Sequence, residues 1–388
     1  MKKIYIPFSL IIAAALLAGI IGGCEGPAGP KGDKGDTGGT TVGELEGFAE
    51  GINCGDCHNP DTDTTYYVWA KKYQWELSKH FFGGDFERNT ASCAECHTTE
   101  GFIEAMQGRT VTTHVDASPP GCFACHSPHA RGDFSLRNEN PVTLNETVAG
   151  SGSSIFDYGK GNLCAQCHKP RTLSPLPDPT KTASTDTITI TNNRWYPHYG
   201  VQSQMLMGTG GFRFPDYIYN GNSNHTNNQV IKGTPGTPGE GCVACHMADA
   251  TAGSGIAGGH TMNISYLNTS GNPVSLTTGC TTSGCHTAAG FTIDYIGASF
   301  SLTNGLGSHT ATEAYLDTLH TLLLDRGWIT ASGSINASSG SPLKIAPAVR
   351  AGALFNYFFI EHDLSKGSHN TLYTLELLVS SIRELRKP

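Results

Sequence analysis

A short pattern, Cys-x-x-Cys-His, recurs along this chain and constrains its fold more than any other feature. Five copies have the regular spacing, at residues 54–58, 93–97, 122–126, 164–168 and 242–246, and a sixth, at 280–286, has two extra residues between its cysteines. They are numbered motifs 1 to 6 in chain order. Twelve of the thirteen cysteines fall into these pairs, Cys54 and Cys57, Cys93 and Cys96, Cys122 and Cys125, Cys164 and Cys167, Cys242 and Cys245, Cys280 and Cys285.

The chemistry of this spacing points to covalently attached haem. Two cysteines separated by two residues can bond to the two vinyl groups of one porphyrin, and the following histidine is then placed to ligate the iron. The six motif histidines are His58, His97, His126, His168, His246 and His286. We therefore expect six haem c groups, each with one iron. Zinc sites, which use two such cysteine pairs per metal, are the alternative, and a disulfide is the alternative for Cys280 and Cys285.

Composition is consistent with a cofactor-rich interior. Hydrophobic residues make up 38% of the 388-residue chain and 48 residues are glycine, so the side chains alone offer little apolar core. Six porphyrins, each a large flat apolar surface, would compensate. The net charge of −8 excludes a basic patch of the kind that binds nucleic acid and favours basic partners.

The first 50 residues are organised differently from the rest. Residues 1–23 carry Lys2 and Lys3, then an apolar stretch, and resemble the signal peptide of a bacterial lipoprotein with Cys24 as the lipidated residue. An uncleaved membrane helix is the alternative. Residues 24–50 begin with five Gly-x-y triplets, which we interpret as a spacer and alternatively as a short trimeric collagen-like segment. Residues 51–388 form the expected haem domain.

Local patterns predict a mostly α fold with extensive irregular loops and little β structure. Apolar spacing indicates helices over 64–80, 312–328 and 347–362. A fourth helix is expected over Thr371–Arg386, with Asn370 as its N-cap. Loops rich in Gly, Ser, Thr and Asn connect the motifs.

Ten histidines lie outside the motifs, enough to supply a second axial ligand to each iron. They are His80, His114, His129, His198, His225, His260, His309, His320, His362 and His369. Methionine could ligate instead, but the chain has only six, one of which is Met1. The histidine surplus makes bis-histidine ligation the better expectation.

The haem region resembles the multihaem c-type cytochromes of respiratory and metal-reducing bacteria. The resemblance extends from Gly51 to the end of the chain and rests on the motifs, on His129 three residues after His126, and on short contexts around the other histidines. It implies a haem-cored fold and these distal ligands: His80, His129, His198, His225, His260 and His369, with His114 in reserve. His320 is expected to be either a ligand or a partly buried core residue. We expect His309 and His362 at the surface.

An iron with protein ligands on both faces can only accept and pass on an electron. The expected function is therefore electron transfer along six haems by an exported protein, lipid-anchored at the outer membrane, that faces the periplasm or the cell exterior. Its expected partners are other multihaem cytochromes, membrane electron-transfer proteins or extracellular metal oxide. The alternatives are a reductase with one open-faced haem for nitrite or tetrathionate, and a subunit of an extracellular cytochrome filament; the carrier is preferred to the enzyme.

Overall fold

Short helices separated by irregular segments make up most of the described chain. The computed structural model describes residues 55–83, 85–127, 129–130, 132–220, 224–249, 256–282, 284–295 and 301–388. The expected signal peptide, the lipidation site Cys24, the Gly-x-y spacer and Cys54 lie outside these residues. The unit Ile52–Pro388 is held together by its own contacts.

Most helices before residue 300 are one or two turns long. They are Gly55–His58, Val68–Glu76, Lys79–Phe82, Ala94–His97, Thr99–Met106, Cys122–Cys125, Gly161–Ala165, Gln202–Met207, Asn224–Asn227, Gln229–Lys232 and Val243–His246. A 3₁₀ turn follows at Gly259–Thr261. Isolated helices of this length are marginal in water, so tertiary contacts must hold them.

The strands of the described residues form four antiparallel two-stranded ladders, beside three isolated β-bridges. The ladders pair Val142–Leu144 with Ser154–Phe156, Ile188–Ile190 with Leu343–Ile345, Gly233–Thr234 with Thr237–Pro238, and Ser265–Leu267 with Pro273–Ser275. The second ladder is the long-range one, because it ties the long segment between motifs 4 and 5 to the C-terminal part of the chain.

Three long helices, Ser308–Asp325, Ala351–Asp363 and Thr371–Arg386, pack together near the C-terminus, with 3₁₀ turns at Ser301–Thr303 and Ala348–Arg350. The middle helix is buried on almost every side, so that Leu354, Phe355 and Phe359 are fully inaccessible. A helix that is apolar all round belongs inside a protein. We call residues 308–386 the C-terminal helical region.

Residues from the segment between motifs 4 and 5 complete the core of this region. Phe212 donates its backbone N–H to Asn356 Oδ1 at 2.7 Å and accepts from Asn356 Nδ2 at 2.8 Å. Tyr373 Oη accepts from Gly211 N at 2.8 Å. The buried Asn356 thus satisfies backbone groups that would otherwise be desolvated without partners.

The predicted fold class is confirmed, since the described chain is helical and irregular with little β structure. The helix Thr371–Arg386 begins and ends where predicted, and Asn370 Oδ1 caps it by accepting from Tyr373 N. The predicted helix over 64–80 is wrong: it divides into Val68–Glu76 and Lys79–Phe82 because Ser78 is extended and forms the N-cap position of the second helix. Among the described helices, none is both long enough and apolar enough to cross a bilayer.

Candidate functional site

Motifs 2 to 5 each fold into one helical turn that closes on itself. The backbone N–H of the motif histidine donates to the carbonyl of the first cysteine in His97–Cys93 (3.2 Å), His126–Cys122 (2.8 Å), His168–Cys164 (2.9 Å) and His246–Cys242 (3.0 Å). This bond spans four residues, as in an α-helix. Both thiols and the imidazole of a motif therefore leave the same short turn.

Motif 6 closes in the same way despite its two extra residues. His286 N donates to the carbonyl of Cys280 at 2.9 Å, so the extra residues are accommodated inside the turn. Gly284 adopts φ +86°, a left-handed conformation that glycine tolerates best. The altered spacing thus leaves the relation between the first cysteine and the histidine unchanged.

All eleven described motif cysteines are free thiols, including Cys280 and Cys285, which form no disulfide with each other. Cys122 and Cys285 are exposed, and the others are half-buried.

Twelve histidines form six facing pairs, and each pair joins one motif histidine to one of the six candidate distal ligands. The distances between ring centres are 6.0 Å for His58–His129, 6.3 Å for His97–His198, 6.2 Å for His126–His260, 6.2 Å for His168–His80, 6.2 Å for His246–His369 and 6.4 Å for His286–His225. The partners come from distant parts of the sequence, so these pairs are a product of the fold.

Burial keeps most of the paired rings neutral. It lowers the pKa of His80, His198, His246 and His260 to about 4. It also lowers the pKa of His129, His168, His225 and His286. A neutral imidazole has one nitrogen with a free lone pair, which is the form that binds a metal.

Hydrogen bonds to Nδ1 fix the orientation of several of these rings. His126 Nδ1 donates to the carbonyl of Phe134 at 2.8 Å, and His246 Nδ1 donates to the carbonyl of Met262 at 3.0 Å. His225 Nδ1 donates to the carbonyl of His369 at 3.1 Å. His168 Nδ1 donates to Gln202 Oε1 at 3.1 Å. With Nδ1 carrying the proton, Nε2 has the free lone pair in each ring.

His369 has an anionic partner instead of a carbonyl. Its Nδ1 lies 2.7 Å from Oδ1 of the buried Asp363. Burial opposes protonation of the ring, but the Asp363 carboxylate outweighs it and raises the pKa of His369. Such a carboxylate makes the other ring nitrogen a stronger electron donor. Sequence reasoning assigned no role to Gln202 or Asp363, because their hydrogen bonds to His168 and His369 depend on the fold.

The remaining histidines have other neighbours. His114 Nε2 lies 3.0 Å from Glu104 Oε2, and half-buried His309 meets Ser368 Oγ at 2.6 Å. His320 packs beside Tyr357. The expectation of a surface position is wrong for His362, which is 6% exposed because Tyr196, Tyr199 and Phe358 enclose it.

No group of three or more His, Cys, Asp or Glu side chains that could hold a metal ion is found within the described residues. The recurring arrangement there is a pair of imidazoles beside a turn with two thiols. Such a set can provide two covalent attachments and two nitrogen ligands for a group that brings its own equatorial ligands.

No protein-family model matches the chain, and no curated protein matches its sequence. Among solved structures, the fold is similar to the outer cell wall cytochrome OcwA, with a TM-score of 0.44 and 18% identity over 81% of this chain. The chain spans half the length of that cytochrome.

Proposed function

We propose that this chain is an electron-carrying c-type cytochrome with six haems, each bound through two cysteines and ligated by two histidines. The observation that carries the proposal is the set of six histidine pairs, with ring centres 6.0 to 6.4 Å apart. Every pair takes one member from a motif and one from outside the motifs, as an attached haem requires.

The spacing of the rings fits two axial ligands of one iron. An imidazole nitrogen binds a metal at about 2 Å and lies about 1 Å from its ring centre, so two rings on opposite sides of a metal have centres about 6 Å apart. The neutral state of the buried rings and the Nδ1 hydrogen bonds support the same assignment. The second ligand of each haem would be the histidine that faces its motif. In the order of motifs 1 to 6, these ligands are His129, His198, His260, His80, His369 and His225.

Ligation on both faces favours a carrier over an enzyme. Haem iron supplies one-electron chemistry between its ferrous and ferric states, and bis-histidine ligation gives it a lower potential than a His/Met pair. A reductase needs one motif histidine without a facing ligand, whereas all six face another histidine. A filament that shares ligands between protomers would also leave a motif unpaired within the chain.

The sequence supports a proposal for the location of the protein and for the class of its partners. One electron would pass from a reduced cytochrome or membrane redox protein to another cytochrome or to extracellular metal oxide. Signal peptide 1–23 and lipidated Cys24 would anchor the exported protein to the outer membrane, with residues 24–50 as a spacer. The haem domain would then face the periplasm or the cell exterior.

The intact mass of the purified protein tests the haem count, and its ferric spectrum tests the ligation. We expect six covalent haems, all low-spin. His129→Ala should convert one haem to high spin without changing the count, while the matched change His114→Ala should leave all six low-spin. A colourless protein, a zinc protein or fewer haems would refute the proposal, and an unchanged His129→Ala spectrum would remove His129 from the ligand set.

A further inference from the structure

Motif 4 lies where three other motifs meet. Its thiol-bearing turn contacts motif 2, motif 3 and motif 5 in the described residues, although only motifs 3 and 5 are its neighbours in the sequence. The three contacts are formed by different sets of atoms.

The contact with motif 2 combines a thiol-to-backbone contact with an ion pair between side chains. Cys167 Sγ lies 3.9 Å from the carbonyl of Glu95, which stands between the two cysteines of motif 2. Lys169, directly after His168, forms an ion pair of 2.9 Å with the Glu95 carboxylate. Motifs 2 and 4 are therefore in direct contact.

A second connection joins the ligands of the same two motifs. Gln202 accepts from His168 Nδ1 through Oε1 and donates from Nε2 to the carbonyl of Tyr199 at 2.9 Å. Tyr199 follows His198, the histidine that faces His97 of motif 2. One short segment thus supplies the facing histidine of motif 2 and orients the histidine of motif 4.

The contact with motif 5 includes a close approach of the two backbones. Gly161 opens the helix that carries Cys164, and a Cβ atom at Gly161 would lie 2.9 Å from the amide nitrogen of Cys242. Cys242 Sγ lies 4.0 Å from the carbonyl of Gly161. Lys160 and Glu240 join the same two segments by an ion pair of 2.8 Å.

The contact with motif 3 is apolar. Ala124, between the cysteines of motif 3, shares a buried cluster with Leu163 of the motif 4 helix and with Phe102. Cys125 and Cys167 pack against this cluster.

Two of the three neighbours lead on to a further motif. A Cβ atom at Gly279, beside Cys280, would lie 2.8 Å from Cα of Cys245, so motif 5 touches motif 6. His129, which follows motif 3, faces His58 of motif 1. Motif 4 thus touches motifs 2, 3 and 5, motif 3 leads on to motif 1, and motif 5 leads on to motif 6. The flanks of motifs 2 and 3 also touch each other, because Gly121 N donates to Thr99 Oγ1 at 2.9 Å.

We propose that motif 4 is a three-way junction that connects the six haems as a branched set rather than a line in sequence order. The proposal rests on the proposed function. Electron transfer between cofactors weakens steeply with distance, so motifs in direct contact set the available routes. In a line no haem has more than two neighbours, whereas the haem of motif 4 would have three, which gives electrons more than one route through the protein.

Two matched ligand substitutions test the junction. His80→Met alters the ligand set of motif 4, and His198→Met alters that of motif 2. A His/Met pair has a higher potential than a bis-His pair, so the altered haem is reduced first. The added electron makes reduction of adjacent haems less favourable, and their potentials fall.

The readout is the midpoint potential of each haem, followed through its ferric NMR methyl signals during a potentiometric titration. We expect His80→Met to lower the potentials of three haems, those of motifs 2, 3 and 5. Because a pairwise interaction is reciprocal, His198→Met should lower the potential of the motif 4 haem. A motif 2 haem unaffected by His80→Met would overturn the junction.

If a variant loses haem, the junction can still be tested by NMR on the unsubstituted protein. Nuclear Overhauser contacts are expected between haem substituents of motifs 2 and 4, and their absence from a fully assigned spectrum would overturn the junction. Six low-spin haems with interactions only between sequence neighbours would refute the junction alone. A missing haem or a high-spin haem in the unsubstituted protein would instead count against the proposed function.

Discussion

The C-terminal helical region and the motif region, residues 55–295, are held together in different ways. The largest core cluster of the described chain has 29 buried residues, drawn mainly from the three long helices and from 188–214, and it includes no motif cysteine. The other two clusters have five and three residues and lie against Cys242, Cys125 and Cys167. The helical region therefore has a large apolar core, completed by side chains from 148–214, whereas the segments around the motif cysteines have little apolar core of their own.

The two regions meet at His369. This residue lies between the helices Ala351–Asp363 and Thr371–Arg386, yet it faces His246 of motif 5. A rigid, well-packed part of the chain thus presents one of the twelve paired imidazoles. The predictions below separate the contributions of the two regions.

The largest difference between the two regions is expected in amide protection, when the chain is produced without haem attachment. Hydrogen exchange should then show protected amides in 308–386 and little protection in 93–126, because only the first region has an apolar core of its own. The haem-loaded protein serves as the control and should be protected in both. Equal protection of both regions without haem would contradict the comparison.

The next largest effect is expected on the free energy of unfolding when a cavity is made in the core of the helical region. Phe355→Ala removes a fully buried ring and should lower the free energy of unfolding by about 3–5 kcal/mol. The matched substitution Phe82→Ala, at a ring that is 61% exposed, should cost less than about 0.5 kcal/mol. Urea unfolding of the haem-loaded protein measures both values, and similar costs would show that burial does not distinguish the sites.

A smaller effect is expected where the regions meet. Asp363→Asn removes the negative charge beside His369, which weakens this ligand, so carbon monoxide should displace it from the ferrous haem about 10- to 100-fold more readily. Carbon monoxide titration of the reduced protein gives the affinity. Asp216→Asn, at an exposed carboxylate paired with Arg383 and Lys387, is the control and should change nothing.

The smallest effect concerns the cap of the last helix. Asn370→Ala loses the hydrogen bond that Tyr373 N donates to Asn370 Oδ1 and should cost about 1 kcal/mol in unfolding free energy. Asn370→Ser retains a capping oxygen and should recover most of the loss. If serine and alanine are equally destabilising, the cap is not the source of the effect.

The sequence predicted local features well because local rules decide them. The Cys-x-x-Cys-His turn closes within its own residues, and the helix Thr371–Arg386 has its cap residue and apolar spacing in one stretch. The break at Ser78 was missed since the apolar spacing continues across it, while the extended backbone there depends on the surrounding fold.

Which motif histidine pairs with which distal histidine could not be predicted, because the pairs arise from contacts between distant segments. His80 faces His168 and His126 faces His260 only after the chain has folded back on itself. His362 was expected at the surface for the same reason: Tyr196 and Tyr199, which cover it, are remote in sequence. Composition indicates how many histidines are available and leaves their partners open.

The turn of motif 6 has a consequence for how such chains are recognised. The amide of His286 donates to the carbonyl of Cys280, as the motif histidine does in motifs 2 to 5, and Gly284 within this turn has a positive φ. A sequence search that requires two residues between the cysteines would miss this copy of the motif. A search framed as a closed backbone ring, with glycine allowed where the ring is enlarged, would find it.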